Sequence, residues 1–193
     1  MNKPSADLSQ EQAQETPARF TADEFMMMAG AGLFDDWAGK VELAEGVIVQ
    51  MSPALSAHHR VQRQLFLKLH AIYGDGIDGF IVGQEPTIRL GPRTVRDPDV
   101  AILRDLAPDN SVNRATDVHL VAEVAHRTLL KDRGPKKRSY ALAGIAHYWI
   151  VDVNGRTVEL MSIPDGDDYR ERQTIAFGEP IPVPGTDATI TLD

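Results

Sequence analysis

Two carboxylates sit where burial should exclude them. Asp99, in Arg96-Asp-Pro-Asp-Val100, opens directly into the apolar run Val100-Ala-Ile-Leu103. The chain has three Pro-Asp dipeptides, and the other two, Pro108-Asp109 and Pro164-Asp165, lead into Asn-Ser and Gly-Asp, which are turn sequences. A carboxylate at the mouth of a buried strand needs a partner, because burying it alone is costly. The competing role for Asp99 is a turn or cap residue. Glu123 lies inside His119-Leu-Val-Ala-Glu-Val-Ala125, an otherwise apolar strand. Glu is almost never fully buried unless paired or metal-bound, so it forms an ion pair with a nearby arginine or belongs to a site. If the two face each other from adjacent strands, carboxylates about 4 Å apart repel by roughly 4 kcal/mol at an effective dielectric near 20. Either one takes a proton or a cation sits between them. With oxygen ligands, no cysteine and no His-x-x-x-His spacing, the cation is a hard one, Mg²⁺ or Mn²⁺.

A positive group completes such a site. Lys136, in Asp132-Arg-Gly-Pro-Lys-Lys-Arg138, lies early in the helix expected after the Glu123 strand and can reach back to a scissile phosphate or an attacking water. The alternative is one more exposed lysine. Lys137 points about 100° away, so only one of the two serves. Glu42, on the first hairpin strand, is either a further ligand or an ordinary exposed strand acid. From Arg127 to Arg138 six basic residues stand against one acidic, a local charge of +5. Arg127, Lys131, Arg133 and Lys137 are the candidates for binding substrate phosphates, and a solvated helix face is the competing explanation. Four phosphate contacts predict a log affinity–log salt slope near −3.6 on duplex DNA. His58 and His59, at the start of a long helix, carry little information.

The elements that position these residues follow from periodicity. Thr21-Ala-Asp-Glu24 is a capping box that opens a short helix through Phe25–Ala29. Val41–Met51 reads as a hairpin turning at Glu45-Gly46. Val61, Leu65, Leu69 and Ile72 recur at helical spacing, so residues 56–73 form an amphipathic helix closed by glycines 74, 76 and 79. Strands are expected at Phe80–Val82, Thr87–Leu90, Val100–Leu103 and His119–Ala125, with Pro86 at a bulge or edge. A helix over Arg133–Ala143 ends at Gly144. Tyr148–Val153 is apolar throughout, as in a strand covered on both faces. Arg156–Ile163 and Gln173–Phe177 form a peripheral pair, and Thr189–Leu192 is a last short strand after a proline-rich loop. The expected class is α/β with a mixed central sheet, αβββαβ in order.

Composition bounds the function. The chain has 193 residues, enough for one domain with a substantial core. Residues 1–19 hold almost nothing to bury and are expected to be a disordered tail, with the domain spanning 20–193. There is no apolar membrane-length window, no secretory h-region and no cysteine, which favours the cytoplasm and excludes disulfides and thiolate metal sites. The net charge of −8 sits awkwardly with nucleic-acid binding, where affinity comes mostly from Lys and Arg.

In this order and spacing, Val41-Glu-Leu-Ala-Glu-Gly46, Met51-Ser-Pro53, His58, Asp97-Pro-Asp-Val100, Val121-Ala-Glu-Val124, Asp132-Arg-Gly-x-Lys136, Tyr140 and Gly144-Ile-x-x-Tyr-Trp-Ile-Val-Asp152 resemble a bacterial restriction-endonuclease family of the PD-(D/E)XK nuclease superfamily. The resemblance runs from about Phe20 to Ile163. It implies a restriction-endonuclease-like core, Asp99 and Glu123 as metal ligands, and Mg²⁺-dependent hydrolysis of nucleic acid, most readily DNA, with a possible homodimer. The superfamily places lysine two residues after the glutamate, where this chain has Ala125; Lys136 matches a lysine moved to the following helix. Glu42 matches the hairpin acid, and Gln84 a polar position on the second core strand. Ala125-His-Arg-Thr128 departs from the family's small polar residues and aspartate. A non-catalytic module of the same fold, binding nucleic acid or a protein partner, is the alternative.

Overall fold

The computed structural model describes residues 16–53, 55–74, 79–104 and 112–193. Most of the expected tail, Gly76 and the Pro108-Asp109 turn lie outside the described residues. Helix α1 (Ala22–Gly30) begins at the Thr21 cap: Glu24 N donates to Thr21 Oγ1 at 3.2 Å and Thr21 N to Glu24 Oε2 at 2.8 Å. Strands β1 (Val41–Ala44) and β2 (Val47–Gln50) follow, joined by Glu45 and Gly46. Both turn residues have positive φ, 50° and 84°, the twist that a two-residue hairpin needs. Helix α2 (Ser56–Tyr73) has the expected bounds, with Gly74 as its C-cap.

β3 (Phe80–Gln84), β4 (Ile88–Gly91), β5 (Thr94–Arg96), β6 (Val100–Arg104), β7 (Asn113–Arg114) and β8 (Val118–Ala125) come next. They divide between two sheets. One has the order β2-β1-β5-β4-β7. The other is the central sheet, which β9 (His147–Asp152), β10 (Thr157–Asp165) and β11 (Asp168–Ala176) extend to the order β11-β10-β9-β8-β6-β3. β5 has no counterpart in the sequence-based expectation. It is three residues long and contains Arg96, too short for an alternation signal. The C-terminal antiparallel pair extends one edge of that sheet, where β10 pairs with β9 along six registered positions. The proline-rich segment holds a short strand, β12 (Ile181–Pro182), paired with β13 (Thr189–Ile190).

Between β8 and β9 the chain is helical from Leu129, four residues earlier than expected: α3 (Leu129–Lys131), a π-helical stretch over Asp132–Lys136, and α4 (Lys137–Leu142). Pro135 lies within the wide turn. Proline has no N–H to give to the carbonyl four residues back, and a π-turn absorbs that loss with one extra residue. Asp132, Lys136 and Tyr140 are all buried, while Arg133 and Arg138 stay exposed.

β8 and β9 are parallel, so the helix between them crosses over one face of the sheet. Val121, Ala125, Tyr148 and Ile150 on that face pack with Tyr140 of α4; α2 covers the other face with Leu65 and Leu69 against Leu120, Ala122 and Val124. No helix among the described residues is long and apolar enough to cross a membrane.

Candidate active site

Asp99 and Glu123 lie on the same face of the central sheet. β6 and β8 run antiparallel with Val100 opposite Ala122 and Ala101 opposite Val121. Asp99 immediately precedes Val100 at the end of that ladder, and its carboxylate accepts from Val124 N, the residue after Glu123. Side chains alternate along β8, so Glu123 shares the helix-covered face with Val121 and Ala125. It takes the place of a core residue there, 3% exposed.

Each carboxylate is held by its own set of donors. Asp99 Oδ2 accepts from Val124 N at 2.8 Å and lies 3.0 Å from His58 Nε2; Oδ1 accepts from Lys40 Nζ at 3.1 Å. Burial alone would raise the pKa of Asp99, but His58 and Lys40 hold it well below the usual carboxylate range. Glu123 Oε1 accepts from Tyr140 OH at 2.6 Å, and Oε2 lies 2.9 Å from Lys136 Nζ. Burial raises the pKa of Glu123; Lys136 opposes the shift, while Asp99, Asp132 and Glu42 add to it. The two acids are thus driven apart, one firmly ionised and one prone to protonation.

Glu42 is not an exposed strand acid. It is 1% exposed, accepts from Arg96 Nη1 at 2.7 Å and from Asp97 N at 3.3 Å, and lies 3.7 Å from Lys136. The hairpin sheet brings Glu42 and Arg96 against the central sheet, so the polar cluster lies between the two sheets. Asp132, held by Thr128 Oγ1 at 2.6 Å, lies 3.9 Å from Lys136. Burial pushes the Asp97 carboxyl up to about 6, and its Oδ1 has no hydrogen-bond partner.

The basic stretch splits. Lys136 turns into the acidic cluster, whereas Lys137 pairs with Asp168 at 2.8 Å. Arg133 Nε donates to Glu159 Oε1 at 2.7 Å, and Arg138 lies 3.8 Å from Asp167. The +5 read along the sequence is therefore largely neutralised by acids of β10–β11 and the turn between them. Arg127 and Lys131 are exposed, make no ion pair with any described residue, and line a cleft of about 250 Å³ with Lys40, Glu42, His58, Asp99, Glu123 and Lys136. Arg133 and Lys137 lie outside that cleft. Gln84 is exposed and also lies outside it.

Three residues around the cluster, Lys40, Gln62 and Glu85, went unread in the sequence, and a fourth, His58, does more there than its position at a helix start suggests. Lys40 bridges Asp99 and Glu85 at 3.1 Å each. His58, whose place at the start of a helix carries little information in the sequence, has only 12% of its side chain exposed. Gln62, fully buried, donates to Glu85 Oε1 at 3.0 Å and to Asp99 O at 3.1 Å. Glu85, not Gln84, is the polar residue of that strand end that joins the cluster, from a positive φ of 53°. Gln62 alone left a usable signal: a polar residue beside Val61 and one turn before Leu65 and Phe66, on the apolar face of its helix.

Residues 23–193 match the model of the Uma2 family, described as "putative restriction endonuclease". The chain belongs to that family. Its fold is similar to the 1.96 Å crystal structure of a protein from Anabaena variabilis ATCC 29413, described as a putative nuclease of DUF820. The TM-score is 0.64 at 17% identity, over 89% of this chain and 94% of the other. At that identity the likeness establishes the fold of this Uma2 member and nothing of its chemistry. No curated protein matches the chain.

Proposed function

We propose that this Uma2 protein is a metal-dependent nuclease that hydrolyses phosphodiester bonds in nucleic acid, with DNA the substrate, and that Asp99 and Glu123 hold a divalent cation. The observation that carries the proposal is the pairing of these two acids on one face of adjacent strands, with a buried lysine from the following helix against Glu123. The donor chemistry fits a hard cation. Five carboxylates, those of Glu42, Glu85, Asp99, Glu123 and Asp132, pair with three cationic side chains, Lys40, Arg96 and Lys136. Among the described residues no three acid or imidazole side chains form a metal-binding group. Mg²⁺ needs no such cage, since it commonly takes one or two carboxylates and fills its shell with water and substrate phosphate.

When bound, the metal supplies Lewis acidity toward the phosphate and a water of lowered pKa. The protein's own groups do the rest. His58, Lys40 and Val124 N keep Asp99 ionised and aimed into the cleft. Tyr140 and Lys136 fix both oxygens of Glu123. Arg127 and Lys131 receive flanking phosphates at the rim. In the hydrolysis a water oxygen bonds to phosphorus and loses a proton, the ester P–O bond breaks, and the leaving oxygen gains a proton, so the two transfers balance. Cleavage of labelled DNA and RNA with Mg²⁺, Mn²⁺ or chelator tests this, with Glu123→Gln as the loss control. No metal-dependent cleavage of either substrate would overturn it.

A second reading, a non-catalytic nucleic-acid or protein-binding module, has one observation in its favour. Asp99 and Glu123 already carry lysine counter-ions. An ion bound only by the folded protein must raise its melting temperature. A melting temperature that Mn²⁺ leaves unchanged would favour the module.

A further inference from the structure

We propose that Lys40, and not Lys136, is the lysine that contacts the scissile phosphate; the proposal rests on the nuclease reading above. The two ammonium groups come from different elements, the residue before β1 and the helical stretch after β8, and have different freedom. Lys136 has 7% of its side chain exposed and is surrounded by Glu123, Glu42 and Asp132 at 2.9, 3.7 and 3.9 Å. Its charge is spent on carboxylates that would otherwise be buried unpaired. Lys40 has 27% of its side chain exposed and is bound to one buried acid, Asp99, and to one acid on the outside, Glu85, which is 41% exposed. A third contact, to Asp97 O, is long at 3.4 Å.

An ammonium carries three donors on a flexible four-carbon stem. Lys40 can keep Asp99 and exchange Glu85 for a phosphate oxygen, because Glu85 returns to water and keeps Gln62 as a donor. Lys136 has no partner it can give up so cheaply. The base of Lys40 is fixed where that exchange needs it. Met51 N donates to Lys40 O at 2.8 Å, and a side chain on the preceding Gly39 would lie 2.3 Å from Met51 O. The backbone at residues 39–40 is therefore clamped against the end of the hairpin while the ammonium faces the cleft.

The test compares the full-length parent with Lys40→Gln, Lys40→Met and Lys40→Arg. Four quantities are read: melting temperature, Mn²⁺ affinity by electron paramagnetic resonance, duplex DNA binding in Ca²⁺ across a salt series, and single-turnover cleavage in Mn²⁺. Lys40→Gln is expected to melt close to the parent and to bind Mn²⁺ at least as tightly, since Asp99 loses a competing cation. It should cut about 10²-fold or more slowly, in line with loss of one transition-state donor, with partial recovery in Lys40→Arg. Its salt slope should be shallower by about 0.9, one phosphate contact. Lys40→Met should behave as Lys40→Gln and serves if the latter does not fold. A variant that cuts at the parent rate with an unchanged slope overturns the Lys40 assignment and leaves the nuclease reading intact. Mn²⁺ affinity falling tenfold or more in Lys40→Gln also overturns it, because the lysine would then act through Asp99. If the parent binds DNA but cuts nothing, the nuclease reading fails, and an unchanged or shallower slope decides against or for the phosphate contact. Absence of DNA binding by the parent overturns the Lys40 assignment, and absence of cleavage of RNA as well overturns the nuclease reading.

Discussion

The two faces of strand β8 use the same backbone for opposite ends. On one, Leu120, Ala122 and Val124 pack against α2 with apolar neighbours throughout. On the other, Val121 and Ala125 flank Glu123, and the helix above supplies Asp132, Lys136 and Tyr140 as well as apolar residues. Shape and apolar area hold the first face together. The second holds charges that need one another: truncating one partner of a buried ion pair costs about 3–5 kcal/mol, whereas an exposed pair such as Arg138–Asp167 contributes about 0–1 kcal/mol. Stability and chemistry are thus separated by a single residue step along one strand.

That separation can be broken residue by residue. The largest effect is expected at Glu123→Gln, with cleavage falling about 10³-fold or more while the fold is kept. The sign of its stability effect follows from the raised pKa. A folded carboxyl whose pKa exceeds its unfolded value binds its proton more tightly when folded, so its contribution is lost as pH rises above the unfolded value. The glutamine variant, free of that charge, should melt at or above the parent near pH 7. A clearly lower melting temperature would show the ionised carboxylate to be a net stabiliser. Next comes Lys136→Met, predicted to lose about 3–5 kcal/mol in urea unfolding because Glu123, Glu42 and Asp132 lose their shared cation.

On the apolar face, Leu120→Ala should lose about 2–5 kcal/mol with cleavage per folded molecule unchanged. A specific loss of activity there would mean that the two faces are coupled. A smaller effect is expected at His147, half-buried with its pKa pushed down to about 4 by burial and by His119. Its neutral form is favoured in the folded state, so its contribution is full above about pH 6.5 and falls as pH drops toward 4. Discounted for solvent screening, that is about 1–2 kcal/mol. His147→Phe should flatten the stability profile over that window. The smallest effect concerns the rim. With Arg127 and Lys131 the only free cations of the basic stretch among the described residues, the slope on duplex DNA should be near −1.8, or about −2.7 if Lys40 contributes, in place of −3.6. Arg127→Gln should remove about 0.9 of it, while Arg133→Gln, paired with Glu159, should leave it unchanged.

Much of the frame was legible along the chain because it rests on local or periodic signals. The Thr21–Glu24 cap, the Glu45-Gly46 turn, the bounds of α2 and the Gly144 stop each arise from interactions within a few residues. Glu123 announced itself by being a charge in an apolar strand, and Asp99 by standing at a strand's mouth. The π-turn was not legible, since a proline in a helical stretch normally signals a boundary and only the packing of Tyr140, Tyr148 and Asp132 fixes the wider turn.

By itself, then, the sequence determined most of the strands and helices, though not β5, β7, β12 or the π-turn, that two acids must be accommodated in a buried sheet, and that a lysine follows them at helical reach. Only the tertiary structure decided which charges meet. Asp99 is joined by Lys40 and His58 from positions 59 and 41 residues away, and Glu42 by Arg96 from 54. Such pairings leave no periodic trace, because an ion pair depends on where two chain segments cross. The same holds for the basic stretch. Its +5 is a sum along the chain, while the field a ligand meets depends on the acids folded against it: those of β10–β11 and their turn take three of its six cations, the buried cluster takes Lys136, and two stay free at the cleft.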